Sequence, residues 1–394
     1  MRDLMCGAHR LLRPMSRPMS RPMSRPTWRP TLGSAGPGEQ GVIGVLVGVL
    51  IGGGVLFGMG ALVVDTGQLY QNRAELQNGA DSAALAVAKS CATGTCTPSL
   101  ATQYATANAS KLTGGMAAVT NVCGSGILGS CPASTGAMTD CPSPPAAGTS
   151  YVDVHTSTQV AGGSTLLPPI FARALLGKAS YNGSTVYACA QAAWGAPSGA
   201  NTIAFAISGC EWDQATNLGT TFAPPPPYPP NSLPSASLDR VLQVHGTGNT
   251  SGCSTEPSGA DGPGNFGWTS DPASNCSLSV SGAFAGTGVS ASQACQTVLA
   301  ADQANRRLVL VPVYVSVSGT GNNAIYTLKG FAAFVITGYH LSGFNASDWL
   351  NPKNNCNGNN KCINGYFTQA IIPGTTGVSG GGQYLGAAVV GLTG

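Results

Sequence analysis

The chain is 394 residues long, 43% hydrophobic and only 8% charged, where an ordinary soluble domain carries about 25% charged residues. Residues 1–39 hold seven Arg and two acids, and the rest holds eleven Lys and Arg against thirteen Asp and Glu, so the net charge of +3 is a basic tail before a nearly neutral body. That excludes a nucleic-acid-binding face, which needs a basic stripe on the folded part, and 55 glycines without a period of three exclude collagen.

Residues 1–38 are Arg/Pro-rich, with RPMS three times before RPTW and RPTL. Proline at every fourth position forbids a helix, and the segment reads as a disordered cytoplasmic tail. From Gly41 to Val64, 24 residues carry no charged or strongly polar side chain. As one helix they would be roughly 36 Å long, enough for a hydrocarbon core of about 30 Å. A transmembrane helix is expected over 39–64. A cleaved signal peptide competes with this reading, but its apolar region is usually about 7 to 15 residues and its small-x-small site follows closely. Here the obvious small tripeptides begin near Ala84. Arg10, Arg13, Arg17, Arg21, Arg25 and Arg29 precede the run and Arg73 follows it, which puts the N-terminus inside and the body outside.

Cysteine usage agrees with that topology. Cys6 precedes the run, while Cys91, Cys96, Cys123, Cys131, Cys141, Cys189, Cys210, Cys253, Cys276, Cys295, Cys356 and Cys362 follow it, as expected for disulfides in an oxidising space. Cys91 with Cys96, and Cys356 with Cys362, are spaced to close small loops; the wider connectivity stays open. A zinc site needs C-x2-C pairs or nearby histidines. His155, His245 and His340 are far along the chain from any such pair, so no metal and no cofactor is expected.

Residues 64–90, VDTGQLYQNRAELQNGADSAALAVAKS, contain no proline. Leu69, Leu76, Ala80, Ala83 and Val87 fall on one helical face, with Gln68, Asn72, Glu75 and Lys89 pointing elsewhere. The spacing predicts an amphipathic stalk helix over 65–90 that continues the span outward.

Those residues also carry a resemblance. Glu39 and Gly41 stand before the apolar run, followed by Val64, Asp65, Gly67, Tyr70, Arg73, Leu76, Gln77, Asn78, Ala80, Asp81, Ala83, Ala84, Leu85 and Ala86. This pattern resembles the Tad (tight adherence, Flp-type) pilus-assembly proteins of the TadE/TadG-like group, in a long version of the kind found in high-GC Gram-positive bacteria. LLPPIFARALLG (166–177), VYACAQAAWG (186–195), Cys210-Glu211-Trp212 and GFAAFVITGY (330–339) extend the likeness more weakly. Two family features are missing. There is no Asp-x-Ser-x-Ser metal motif of a von Willebrand factor A domain, and counting back from Glu39 finds Ser34 where a prepilin peptidase needs glycine. The resemblance implies pilus-assembly membrane proteins or pilin-like subunits as partners. Asp65, Tyr70, Arg73 and Asp81 are the candidate contact residues.

Beyond residue 90 the chain reads as strand and loop. YVDVHTSTQV (151–160) alternates and can pair with STVYACAQAAW (184–194). PPIFARALLG between them reads as a short helix with proline at its start and Gly177 as its stop. APPPPYPPNSLP reads as a polyproline linker over 223–237. VLQVHG, RLVLVPVYVSVSG and IYTLKGFAAFVITGYHL are β-rich runs, with Pro312 favouring an edge or bulge. Catalytic patterns fail. GVSGG (377–381) has no acid and histidine after it, GPGNFG (262–267) has no preceding strand, and Glu211 with Asp213 around Trp212 reads as a corner fixed by a disulfide.

The expected fold is α+β: one long transmembrane-plus-stalk helix, then two β-rich, disulfide-stapled extracytoplasmic lobes over 91–222 and 238–394. The expected function is non-enzymatic, a single-pass membrane protein that assists assembly or anchoring of a Tad-type pilus. An envelope-anchored adhesin unrelated to a pilus is the alternative, and the oligomeric state is open.

Overall fold

The computed structural model describes residues 39–133, 140–167, 169–171, 183–230, 232–245, 253, 268–269, 275–285, 293–319, 324–341, 343–353, 361–372 and 382–393. In chain order these form α1 (Glu39–Gly52), α2 (Val55–Ala92), α3 (Leu100–Asn108), β1 (Met116–Gly124), β2 (Ser150–Gln159), β3 (Tyr187–Gly195), β4 (Ala200–Ile203), β5 (Ile207–Ser208), α4 (Gly209–Thr216), β6 (Arg240–His245), β7 (Ser277–Val280), β8 (Ala283–Ala285), α5 (Gln293–Ala304), β9 (Leu308–Ser318), β10 (Ile325–Leu341), β11 (Phe344–Ala346), β12 (Lys361–Thr368), β13 (Ala370–Ile371) and β14 (Ala387–Leu392). The mixture is α+β and the body is strand-rich, as expected. Two compact units are distinguished, Met1–Met59 and Gly60–Gly394.

In the first unit the uncharged run is not one helix. Gly53 still donates to the Val49 carbonyl at 2.6 Å, but Gly54 adopts φ +70°, a left-handed conformation that ends a helix and that glycine takes at little cost. The single helix expected over 39–64 is therefore interrupted midway, at a run of three glycines. Among the described residues no helix is long and apolar enough to cross a membrane. α1 has 14 residues, and α2 turns polar after Val64.

The second unit is organised around α2. Leu76, Ala80, Ala83, Ala84, Val87 and Ala88 are fully buried. From Ala80 onward they pack on Ala101 and Ala105 of α3 and on Val152, Val154, Ala190 and Ala192 of β2 and β3. Leu76, Ala80, Ala83 and Val87 are thus the inward face that periodicity predicts. Small side chains let the helix lie close to its neighbours. At Gly79 a Cβ would stand 2.8 Å from the Ala105 carbonyl oxygen and 3.1 Å from the Ala109 Cβ. Asn72 departs from the expected pattern: it is fully buried, because its side chain is paired with the backbone of Thr113, accepting from its N–H at 2.9 Å and donating to its carbonyl at 3.1 Å.

α2 rests on a five-stranded sheet of order β1-β2-β3-β14-β13. β2 and β3 pair antiparallel with Val152 opposite Ala192, as predicted for 151–160 and 184–194. The fourth strand comes from the far end of the chain, with Val390 opposite Trp194. A seven-stranded sheet has the path β5-β9-β10-β12-β6, with β8 and β11 also pairing β10, and β4 pairs β7. Trp212, Leu299, Phe334 and Ile336 lie in its main core. Pro312 pairs Phe331 of β10 next to a register irregularity and precedes the two positions of β9 that the short β5 pairs, the kind of place in a sheet that tolerates proline. The proline-rich segment is not a free spacer: the Ala223 amide donates to the Phe367 carbonyl at 2.9 Å and Thr368 Oγ1 donates to the Ala223 carbonyl at 2.7 Å. Ala223 still has the N–H that the prolines after it lack, so it can bridge to β12.

Five disulfides join cysteines among the described residues: Cys91–Cys96, Cys123–Cys131, Cys141–Cys189, Cys210–Cys253 and Cys276–Cys295. Cys362 is disulfide-bonded as well. Cys6, Cys356, the tail 1–38, residues 172–177 of the expected short helix, 262–267 and 377–381 lie outside the described residues.

The glycines of α2 separate packing from propensity. Gly79→Val should push α3 away and lower stability by about 1–3 kcal/mol. Gly67 meets nothing within 4 Å, so Gly67→Ala should be neutral or stabilising by up to about 1 kcal/mol. Thermal midpoints of the two variants, measured without reductant, check the contrast, and equal losses would contradict it.

Candidate functional site

The four contact residues expected on α2 do not converge. Asp65 and Asp81 are sixteen positions apart, about 24 Å along a helix, and Asp65 lies about 140° around the helix from Tyr70, whereas Arg73, three positions after Tyr70, lies about 60° from it. Asp65 and Asp81 are used within the fold. The Asp65 carboxylate accepts from the Ile170 amide at 3.0 Å and from the Phe171 amide at 3.2 Å through either oxygen. Asp81 accepts from Gln77 Nε2 at 2.8 Å, and the same nitrogen donates to the Cys189 carbonyl at 2.9 Å. Arg73 is half-buried.

Tyr70 is different, being 72% exposed. Val63, Gly67 and Ala74 are also exposed and lie within about 60° of it around the helix, with exposed Asn78 at about 80°. The exposed positions of this face are uncharged, with glycine and alanine a turn before and after one aromatic ring and half-buried Arg73 and Asp81 bordering them, so another helix could approach it closely. Its signal in the sequence was the small residues at 67 and 74, spaced on the Tyr70 face and opposite the buried stripe.

A second group of chemical side chains lies on the outer face of the first sheet. Cys123, Asp153, His155, Cys189 and Gln191 share that face, because Cys123 is opposite Asp153 and His155 is opposite Cys189 and side chains alternate along a strand. The β1–β2 connection folds across them: Cys131 and Cys141 tie it to Cys123 and Cys189, and Gln191 Nε2 donates to the Pro142 carbonyl at 3.2 Å. His155, distant in sequence from any cysteine pair, therefore lies beside one, with Nε2 3.6 Å from Cys141 Sγ. Cys141, His155 and Cys189 form one group of potential metal ligands, and Cys123, Cys131 and Asp153 another. In both groups the sulfurs are joined as disulfides and present no thiolate to a cation.

Asp153 is 3% exposed and its Oδ1 has no hydrogen-bond partner among the described residues. Burial pushes its carboxyl above the ordinary range, against the pull of a hydrogen bond with Gln191 and the charge of His155. The acids around Trp212 play separate parts. Glu211 is buried, with its amide donating to Ser208 Oγ at 3.0 Å, while Asp213 pairs with Lys329 at 3.3 Å. Trp212 donates its indole N–H to the Leu385 carbonyl at 3.1 Å, and Cys210 is disulfide-bonded to Cys253. This is a structural corner.

Residues 41–90 match the sequence model of the Tad family, described as putative Flp pilus-assembly TadE/G-like. No curated protein and no solved structure matches the chain. The matched segment covers most of α1 and nearly all of α2, so it contains the buried alanine face, the Asp65 and Gln77 hydrogen bonds, and the exposed Tyr70 strip.

Asp153 makes stability depend on pH. Its folded pKa lies above the unfolded one, so its contribution favours folding fully below the unfolded carboxylate value and is lost as pH rises through the folded value. At neutral pH the raised pKa is a cost to folding. Asp153→Asn should therefore raise stability at pH 7 by on the order of 1 kcal/mol and by much less near pH 4. Denaturant midpoints at the two pH values check this; a variant less stable at pH 7 would show that the carboxylate is held favourably.

Proposed function

We propose that this chain is a non-enzymatic, single-pass membrane protein that assists assembly or anchoring of a Tad/Flp-type pilus, with its N-terminus in the cytoplasm and its body outside. The match at residues 41–90 carries the reading. The uncharged run 41–64 and the arginines before it support anchoring in this orientation, with the run crossing the bilayer as a broken rather than a continuous helix; glycines within spans are tolerated where neighbouring groups satisfy the freed backbone. The disulfides of the body suit an oxidising compartment. Tyr70, between Gly67 and Ala74 on the solvent face of α2, is the proposed contact with assembly-platform proteins or pilin-like subunits. Asp65 and Asp81 act indirectly, by holding α2 and its surroundings in place.

Protease added to intact spheroplasts should remove the body and leave a fragment ending near Val64. Tyr70→Ala and Ala74→Trp should leave the protein folded and membrane-retained while abolishing piliation and co-purification of assembly proteins. A protease-protected body would overturn the topology. Normal piliation by both variants at normal protein levels would remove the contact assigned to this face.

A further inference from the structure

The Asp65 carboxylate holds a loop at a particular level. Asp65 is the first charged residue after the uncharged run, and it binds the backbone amides of Ile170 and Phe171. Those two residues keep their side chains 52% and 46% exposed, and Leu166 earlier in the loop is 39% exposed. On the helix just before Asp65, Leu62 and Val63 are exposed too. Between Leu166 and Ile170 the loop is rooted in the body: Leu167 is buried with Leu69, Leu76 and Val186, and its amide donates to the Ser184 carbonyl at 3.0 Å. Large apolar side chains are thus held outward by a fixed backbone, at the position where the uncharged run ends. In the turns 109–118, 160–171 and 183–187 the one charged residue is Lys111, a cation.

We propose that Ile170 and Phe171, hung on Asp65, form a wedge that enters the headgroup–acyl boundary of the membrane and seats the folded body on the lipid surface. The inference rests on the anchoring reading above. A lipid surface is the occupant because of continuity along α2: wherever residues 41–64 lie in a bilayer, Asp65 emerges at its boundary and brings the backbone of Ile170 and Phe171 with it. An aromatic and a branched aliphatic side chain are the kinds that gain from that zone. The same bonds serve a carboxylate at the boundary, where a charge needs partners: two backbone amides donate to it. Lys111 matches anionic headgroups.

The test uses the full chain reconstituted in vesicles of phosphatidylethanolamine and phosphatidylglycerol, with and without brominated acyl chains. Phe171→Trp adds an emitter whose signal, taken as the difference from the unsubstituted protein, should shift to the blue and be quenched by bromolipid. Adding Asp65→Ala should lose that quenching, while Asp65→Asn, which keeps an accepting oxygen, should retain part of it. An alkaline wash of the same vesicles reads the anchor separately. Protein that resists the wash while the introduced indole stays unquenched overturns the wedge and leaves the anchor standing, and protein that is washed out overturns both. A blue-shifted but unquenched emission would assign the surface to a protein neighbour and also overturns the wedge. Quenching that survives Asp65→Ala removes Asp65 from the device. Should Asp65→Ala fail to fold, Phe171→Trp alone decides the proposal.

Discussion

The close seat of α2 on its sheet is the constraint from which the rest of the body follows. A helix faced with Ala80, Ala83, Ala84 and Ala88 buries little area per residue, so its packing depends on short distances rather than on large side chains. That places demands on everything it touches. Gly79 is needed where α3 crosses, and Ala190 and Ala192 keep the facing strand low. Buried polar atoms on the helix must also find partners, since an unsatisfied one costs about 1–3 kcal/mol. Asn72 finds the Thr113 backbone and Gln77 finds the Cys189 carbonyl. These bonds set the position of the helix along the sheet, which apolar contact alone leaves loose.

Among the described residues, the opposite face of the same sheet is covered by a cross-linked loop. There the β1–β2 connection lies across Asp153, His155 and Gln191, and two disulfides hold a segment that has little apolar surface of its own. Cross-links of this kind stabilise mainly by limiting the unfolded chain, which suits a protein with 8% charged residues and 55 glycines. β14 completes the arrangement from the far end of the chain. The sheet under α2 therefore closes only when residues near the C-terminus arrive, a non-local contact of the kind that slows folding.

Within the Tad-like segment, the family pattern resolves into different physical tasks. Leu76 and the alanines pack, Gln77 and Asp81 bind each other and the sheet, and Asp65 holds the 166–171 loop. What remains for a partner is the small-residue strip around Tyr70. A helix that carries its own domain on one side and a low-relief face of small residues on the other can join a second helix without disturbing the first contact. That division is a physical basis for assigning assembly to the segment.

Much of this was legible from the residues alone. The buried stripe through Leu76, Ala80, Ala83 and Val87 follows from a period of 3.6, the pairing of 151–160 with 184–194 from alternation, and Cys91–Cys96 from spacing too short to serve much else. These are local properties, and local chemistry decides them. The helix break at Gly53–Gly54, the burial of Asn72, the approach of His155 to Cys141, the docking of Ala223 on β12 and the return of β14 to β3 were not legible. Each depends on a group far away in sequence or on a single backbone angle, and periodicity carries no information about either. Asp65 shows the difference most directly. In the sequence it is a charge that ends an apolar run, and only the fold brings the amides of Ile170 and Phe171 to it, because a carboxylate's partner is chosen by which donors the tertiary structure leaves unpaired nearby.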